Sequence, residues 1–356
     1  MTNLEDLPLR PDLAGQLPYG APQIDVPIRL NVNENNHGIP EAVALRIVER
    51  IAEAALTLNR YPDRECMKLR EMLANFLGEG LVAEQIWAAN GSNEVLQQFF
   101  QAFGGPQAQA LSFDPTYSMY PNIARNTLTE YVSVNREVEF VLTPDFVRSE
   151  ISKHQPDIVI LCGPNNPTGT ALSLETIEAA YESFEGMLLI DEAYQEFAEG
   201  PSALRLLQGR PRLVVSRTMS KAFAFAGARV GYMAADQAVV DAMRIVRLPY
   251  HLSALTQAAA MAALETSHEL LKNVEQIKHQ RDRIIRQVQT LGLKPYASEA
   301  NFVLIAGFKD SKLVFEQLLE KGIIVRDVGI SGCLRITAGT EAETDKLLGE
   351  LALLLD

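Results

Sequence analysis

The chain has 356 residues, enough for two domains of ordinary size, and its 47% hydrophobic and 22% charged residues are the balance of a folded globular protein. Acidic groups outnumber basic ones by 45 to 32, and the net charge of −13 argues against non-specific attraction to nucleic acid or anionic lipid. No apolar run approaches the roughly 20 residues that span a bilayer. MTNLEDLPLRPDLAG lacks the basic start and apolar stretch of a signal peptide. Cys66, Cys162 and Cys333 are scattered, suit a reducing compartment, and offer neither a disulfide framework nor a cysteine zinc site. The expectation is a cytoplasmic protein with no membrane, nucleic-acid or metal partner.

Residues 1–30, with Pro8, Pro11, Pro18, Pro22 and Pro27, read as an irregular arm. EAVALRIVERIAEAAL (41–56) has the apolar spacing of a helix. An alternation follows: VAEQIWAAN as a strand, SNEVLQQFFQAF as a helix opened by a serine cap, ALSF (110–113) and DIVILC (157–162) as strands. LSLETIEAAYESF reads as a helix, GMLLIDEA, RLVVSRT and RVGYMAA as strands, and 236–247 as a helix. Short, continuously apolar strands separated by helices predict a mostly parallel sheet covered on both faces. After Pro249 the texture changes to a long helical stretch from Ser253 to Leu291, three short strands (NFVLIA, IIVRD, CLRIT) and a closing helix, EAETDKLLGELALLL. That is the pattern of a smaller α/β lobe, and no flexible linker separates it from the first.

Chemistry-bearing residues gather at the strand ends. Lys221 follows a buried-type strand and precedes small and aromatic residues, unlike the chain's other lysines. In such surroundings the ammonium form is disfavoured and the free amine becomes nucleophilic, as Schiff-base chemistry requires; a snorkelling surface lysine is the alternative. Arg229, at the start of the last strand of this series, suits a fixed carboxylate or phosphate, or a structural ion pair. Asp191 ends the strand Leu188-Leu189-Ile190, where open α/β sheets place ligands. The run LLIDEA also mimics a nucleotide-hydrolase strand, but the chain has no Gly-Lys pair for a phosphate loop and no G-x-G-x-x-G turn.

Asn90-Gly91-Ser92-Asn93-Glu94 joins a strand to a helix whose first N–H groups can bind an anion. Gly163-Pro164-Asn165-Asn166-Pro167-Thr168-Gly169 is a rigid turn presenting two asparagines, and Pro115-Thr116-Tyr117-Ser118-Met119-Tyr120 puts aromatics at another strand end. Taken singly, each has an ordinary structural explanation. Converging on one cleft, they supply an anion clamp, a lysine, an aspartate, a tyrosine, an asparagine and a stacking ring, which match pyridoxal 5′-phosphate.

With these residues the chain resembles the fold-type I pyridoxal-phosphate-dependent aminotransferases, class II subgroup, and within them the histidinol-phosphate aminotransferase branch. The resemblance runs through NEN (33–35), NRYPD (59–63), GSNE, PTYSMY, NNPTG, DEAY, SRTMSKAFAFAGARVGY, LPYHLSALTQ and LRITAGT. It implies an α/β large domain (61–249) with a mostly parallel central sheet flanked by helices. A smaller α/β domain (31–60 and 250–356) and an N-terminal arm (1–30) would complete the chain. It further implies that Lys221 carries the cofactor and shuttles a proton, that Asp191 pairs with the ring nitrogen, and that Tyr194 and Asn166 hold the ring oxygen. Tyr117 would stack on the ring. Ser92, Asn93, Ser220 and Arg229, helped by Thr218, would hold the phosphate. Tyr61 would reach the phosphate in a neighbouring subunit of a homodimer with shared sites. Tyr19, Asn33 and Arg335 would face the substrate.

The reaction so implied exchanges an amino group between histidinol phosphate and 2-oxoglutarate, giving imidazole-acetol phosphate and glutamate in histidine biosynthesis. An aromatic (phenylalanine) aminotransferase on the same scaffold is the alternative, followed by a related lyase or decarboxylase and by a catalytically silent binding protein. One departure stands out: after Asn33-Glu34-Asn35 the family commonly has proline and an aromatic, where this chain has Asn36-His37. These residues are expected to border the substrate pocket, with His37 either an aromatic replacement or a loop histidine.

Overall fold

The computed structural model describes residues 3–20 and 22–355. Its strands are β1 (Ile28–Arg29), β2 (Ile86–Ala89), β3 (Gln109–Asp114), β4 (Glu130–Asn135), β5 (Ile158–Cys162), β6 (Met187–Asp191), β7 (Leu213–Thr218), β8 (Gly231–Ala235), β9 (Lys294–Pro295), β10 (Phe302–Ala306), β11 (Ile323–Ile324) and β12 (Cys333–Thr337). The helices are α1 (Glu41–Ala55), α2 (Met67–Leu77), α3 (Ser92–Phe103), α4 (Tyr120–Asn126), α5 (Pro144–His154), α6 (Leu174–Glu182), α7 (Gln237–Val246), α8 (Ala254–Glu265), α9 (Ser267–Thr290), α10 (Ser311–Glu320) and α11 (Glu341–Leu355).

Seven strands form the main sheet in the order β2-β8-β7-β6-β5-β3-β4. All run parallel except β8, which is antiparallel to both neighbours. The expected mostly parallel sheet is therefore present, and the reversal of β8 has a consequence. Its start lies at the same edge as the ends of β2 and β7, so Arg229 joins the residues at that edge. Every residue of β5, β7 and β8 is buried, as a sheet covered on both faces requires. Alternation along the strands divides the packing. Val159, Leu161, Leu188, Ile190 and Val215 belong to one apolar cluster, while Ile158, Ile160, Leu189 and Val214 belong to another with Trp87 and Phe99.

A three-stranded antiparallel sheet (β12-β10-β9) and a two-stranded parallel one (β1-β11) lie in the later part of the chain, with β1 contributed from near the start. Helix α1 packs on α8, so residues before 60 join residues after 250. The expected single helix over 253–291 is two helices, α8 and α9, parted at Thr266. There the threonine hydroxyl bonds back to the Ala262 carbonyl at 2.8 Å and competes with the helical ladder. The division suits their surroundings, since α8 is alanine-rich and mostly buried whereas α9 exposes a polar face.

Candidate active site

The ends of β2, β3, β5, β6 and β7 and the start of β8 surround a cavity of about 570 Å³. Asp191, Tyr194, Asn166, Tyr117, Ser92, Asn93, Thr218, Ser220, Lys221, Arg229, Tyr19, Asn33 and Arg335 all line it. Strand-end placement brings the cofactor-side residues together, and Tyr19, Asn33 and Arg335 join them from other segments. Tyr61 is the exception. It is 79% exposed, lies outside the cavity, and stacks on Tyr250 with ring centroids 4.3 Å apart.

Asp191 ends β6 at the centre of the sheet and is 3% exposed. Burial pushes its carboxyl above the usual range, and hydrogen bonds oppose that shift: Tyr120 donates to Oδ2 at 2.8 Å and Ser216 to Oδ1 at 3.1 Å. The sequence marks Tyr120 only as a strand-end aromatic and assigns Ser216 no role. Ser216 has a partial signal, as the first polar residue after the apolar run Leu213-Val214-Val215, and the structure pairs it in register with Asp191 on the neighbouring strand.

Lys221 lies three residues beyond the end of β7, with its Nζ donating to the Val32 carbonyl at 3.0 Å. Desolvation lowers its pKa to about 8, and the positive Arg335 and Arg229 act in the same direction while Glu34 opposes them. About one amine in ten is therefore unprotonated at pH 7, far more than for an exposed lysine.

The anion cradle is built from backbone and side chain together. Helix α3 begins at Ser92, and its cap is Gly91 at φ 81°, not the expected serine. Gly91 takes the left-handed conformation without a Cβ, which would collide with Nη2 of Arg229. Ser92, freed from capping, lines the cavity with Asn93 at the helix N-terminus, where unpaired N–H groups favour an anion. The turn before them is anchored by Glu94, which accepts from the backbone and side-chain nitrogens of Asn90 at 2.5 and 2.8 Å. On the other side Arg229 donates to Ser220 Oγ at 3.3 Å, and Thr218 Oγ1 accepts from Ser220 N at 3.1 Å. Nη1 of Arg229 also donates to the Ala226 carbonyl at 3.1 Å, and the residue is exposed, which leaves Nη2 to meet an anion.

Tyr117 lines the cavity with its hydroxyl donating to Asn93 Oδ1 at 3.1 Å. Its ring meets Tyr120 edge-on, with centroids 5.5 Å apart and planes at 86°. Tyr194 OH accepts from Asn33 Nδ2 at 2.9 Å and from Asn166 Nδ2 at 3.4 Å. Asn33 is held from behind, since its Oδ1 accepts from Thr337 at 3.0 Å and its carbonyl accepts from Asn301 at 3.1 Å. Arg335, in β12, is 7% exposed and donates to Asn166 Oδ1 at 2.5 Å and the Asn31 carbonyl at 2.6 Å. Its Nε is buried without a partner among the described residues, and desolvation lowers its pKa to about 10, which leaves it charged at neutral pH. Tyr19 comes from the arm and accepts from Ser118 Oγ at 2.9 Å. Arg326 and Asp327 also line the cavity and were not assigned to it from sequence; they end the run IIVRD, read there as a strand, whereas β11 stops at Ile324.

Asn36 and His37 do not line this cavity. The Asn36 side chain turns away to Glu343 Oε1 at 2.8 Å, and burial lowers the His37 pKa. The departure from the family's proline and aromatic therefore falls outside the pocket wall, and His37 is a loop histidine.

A doubly covered, mostly parallel sheet with a lysine, a hydrogen-bonded aspartate and an anion cradle along one edge defines a fold-type I enzyme. Residues 25–351 match the family model for aminotransferases of class I and II, and the chain belongs to that family. It is 56% identical to a histidinol-phosphate aminotransferase of Paenarthrobacter aurescens, over 100% of this chain and 97% of that one. It is 54% identical to a protein of the same name from Frankia casuarinae, over 98% and 90%. Among solved structures, the histidinol-phosphate aminotransferase of Sinorhizobium meliloti in complex with pyridoxal-5′-phosphate superposes with a TM-score of 0.87 at 26% identity, covering 98% of this chain and 97% of that one. The aspartate aminotransferase of Thermus thermophilus with maleate superposes at 0.81 and 25% identity, covering 93% and 92%.

Proposed function

We propose that this chain catalyses pyridoxal-phosphate-dependent transfer of the amino group of L-histidinol phosphate to 2-oxoglutarate, giving imidazole-acetol phosphate and glutamate in histidine biosynthesis. The observation that carries the reading is a cavity uniting Lys221, Asp191 and the guanidinium groups of Arg229, Arg326 and Arg335, in a chain whose full-length relatives bear that enzyme's name. The same relatives weigh against the phenylalanine aminotransferase alternative.

The residues present fit the cofactor. Gly91 clears the space into which Nη2 of Arg229 reaches, and the start of α3 supplies anion-binding N–H groups, so Ser92, Asn93, Ser220 and Arg229, with Thr218 behind them, would hold its phosphate. Asp191 would pair with the ring nitrogen, Tyr194 and Asn166 with the ring oxygen, and Tyr117 with the ring face. When bound, the cofactor supplies an electron-withdrawing ring that stabilises negative charge on the substrate's α-carbon. Nζ of Lys221, with its lowered pKa, takes the proton from that carbon and returns it to the other reacting carbon. Arg335 binds the substrate's phosphate or carboxylate, with its unpaired Nε available as a further donor. Asn33 orients Tyr194, and Tyr19 closes the mouth and excludes water.

The exposed ring of Tyr61 supports a homodimer in which it serves the neighbouring subunit's phosphate site. The packing of α1 on α8 supports the division into an arm (1–30), a small domain (31–60 and 250–356) and a large domain (61–249). No helix among the described residues is long and apolar enough to cross a membrane; a cytoplasmic location is part of the same proposal. The test is steady-state turnover with 2-oxoglutarate, measuring glutamate formed from histidinol phosphate and, in parallel, from phenylalanine. The reading expects histidinol phosphate to be much the faster donor; a preference for phenylalanine would assign the protein to the aromatic alternative.

A further inference from the structure

We propose that Tyr120 is a positioning residue for both ends of the cofactor site: its hydroxyl holds the carboxylate of Asp191 while the edge of its ring sets the plane of Tyr117. This deepens the cofactor reading above and rests on it. Tyr120 opens α4 and is fully buried. A tyrosine in that place for packing alone would be served equally by phenylalanine, and what needs explaining is the hydroxyl. It donates to Asp191 Oδ2 at 2.8 Å across 71 residues of sequence. The ring that carries it lies edge-on against Tyr117, at 5.5 Å and 86°.

The physical argument concerns which form of Asp191 the fold supports. A carboxyl group buried this deeply takes up a proton unless donors hold it as an anion. Three groups do so here: the Tyr120 hydroxyl, the Ser216 hydroxyl at 3.1 Å and the backbone N–H of Ala193. The Tyr120 hydroxyl is itself pushed well above its ordinary range by burial and by the adjacent carboxylate, so it keeps its proton and remains a donor at neutral pH. With it gone, burial gains the advantage at Asp191, and a protonated aspartic acid no longer stabilises a positive ring nitrogen. The same truncation leaves the edge contact to Tyr117 intact, so the two contributions are separable: Tyr120→Phe removes the first and Tyr120→Leu removes both.

The test uses the holoprotein as wild type, Tyr120→Phe, Tyr120→Leu, Asp191→Asn and the Tyr120→Phe/Asp191→Asn pair. Cofactor retention is measured by equilibrium dialysis, and absorbance of the bound cofactor is followed against pH. Tyr120→Phe is expected to bind pyridoxal phosphate about tenfold more weakly and to move the absorbance midpoint about one unit to lower pH, since a weaker anion favours the protonated ring less. Tyr120→Leu is expected to weaken binding further. In the Asp191→Asn background, Tyr120→Phe is expected to add almost nothing, because its target is already neutral. Should the tyrosine variants fail to fold, Ser216→Ala removes the other hydroxyl and is expected to shift the midpoint in the same direction by less. An unmoved midpoint in either Tyr120→Phe or Ser216→Ala overturns the proposal, as does a full additive loss in the double variant. A wild-type protein with no cofactor band even after adding pyridoxal phosphate overturns the cofactor reading and this inference together.

Discussion

The two sides of the cavity are built differently. The side assigned to the cofactor draws on residues between Ser92 and Arg229, and nearly all of them sit at the ends of adjacent strands of one sheet. The side assigned to the substrate is gathered from Tyr19, Asn31–Glu34, Arg326–Val328 and Arg335, segments distant in sequence and tied by a few hydrogen bonds such as Thr337 to Asn33. Sheet register fixes the first side as soon as the core packs. The second depends on how the arm and the later part of the chain lie against it. The first is therefore the rigid half and the second the adjustable one, a division that suits an enzyme keeping one cofactor while exchanging two unlike substrates.

The largest effect should follow from removing the lysine that serves both halves. Lys221→Ala is expected to lower transamination by about 10⁴-fold or more while leaving cofactor binding measurable by dialysis. Gly91→Ala comes next and belongs to the rigid half. The added Cβ meets Arg229 and demands a left-handed alanine, so pyridoxal phosphate should bind about 100-fold more weakly, a loss of about 3 kcal/mol, with equilibrium dialysis as the readout. Arg335→Lys probes the adjustable half. Loss of the forked contacts should raise KM for the anionic substrates about 10- to 100-fold, with dialysis showing cofactor affinity nearly unchanged. Tyr19→Phe removes one hydrogen bond at the mouth and should raise KM only a few-fold in steady-state assays. A Gly91→Ala protein with normal cofactor affinity, or an Arg335→Lys protein that loses cofactor rather than substrate, would break the division between the halves.

The pH behaviour of Lys221 sharpens the same contrast. Desolvation holds its pKa near 8, against about 10.4 for an exposed lysine. In cofactor-free protein an amine-reactive probe should therefore label Lys221 with a midpoint near pH 8 by peptide mass analysis, well before the other lysines. The sign for stability follows. Between about pH 8 and 10.4 the unfolded chain binds the proton that the folded chain has released, so this group's contribution to stability rises with pH across that window. Below it, the contribution stays at its unfavourable limit.

The rigid half was also the legible one, for the same reason. Asp191, Lys221, Ser92 and Asn166 each follow an apolar run closely enough that one stretch of sequence shows both the strand and the residue at its end. Tyr120 was not legible in its role, because a tyrosine in a helix looks like core until its hydroxyl is seen against Asp191, 71 residues further on. Arg335 was assigned by resemblance alone, and its contact with Asn166 spans 169 residues. Arg326 and Asp327 end a run that reads as a short strand, IIVRD, but nothing in that run shows that it meets the cavity. In the fold, the strand series was readable from continuous apolarity, whereas the break at Thr266 was not. A polar β-branched residue between two helical patterns looks tolerable until its hydroxyl is found bonded back to Ala262. The concern raised by Asn36-His37 had the opposite fate. Adjacency to Asn33 in sequence suggested the pocket wall, but the Asn36 side chain binds Glu343 at the start of α11.

The most direct test of the account is a half-reaction. Purified protein is loaded with pyridoxal phosphate and given histidinol phosphate without an oxo acid, with phenylalanine in a parallel sample, while the visible band of the bound cofactor is followed. Rapid loss of the band with histidinol phosphate and slow loss with phenylalanine is the predicted result. A band that persists with histidinol phosphate while phenylalanine discharges it would contradict the assignment of the adjustable half, and a protein that never acquires the band would contradict the rigid half as well.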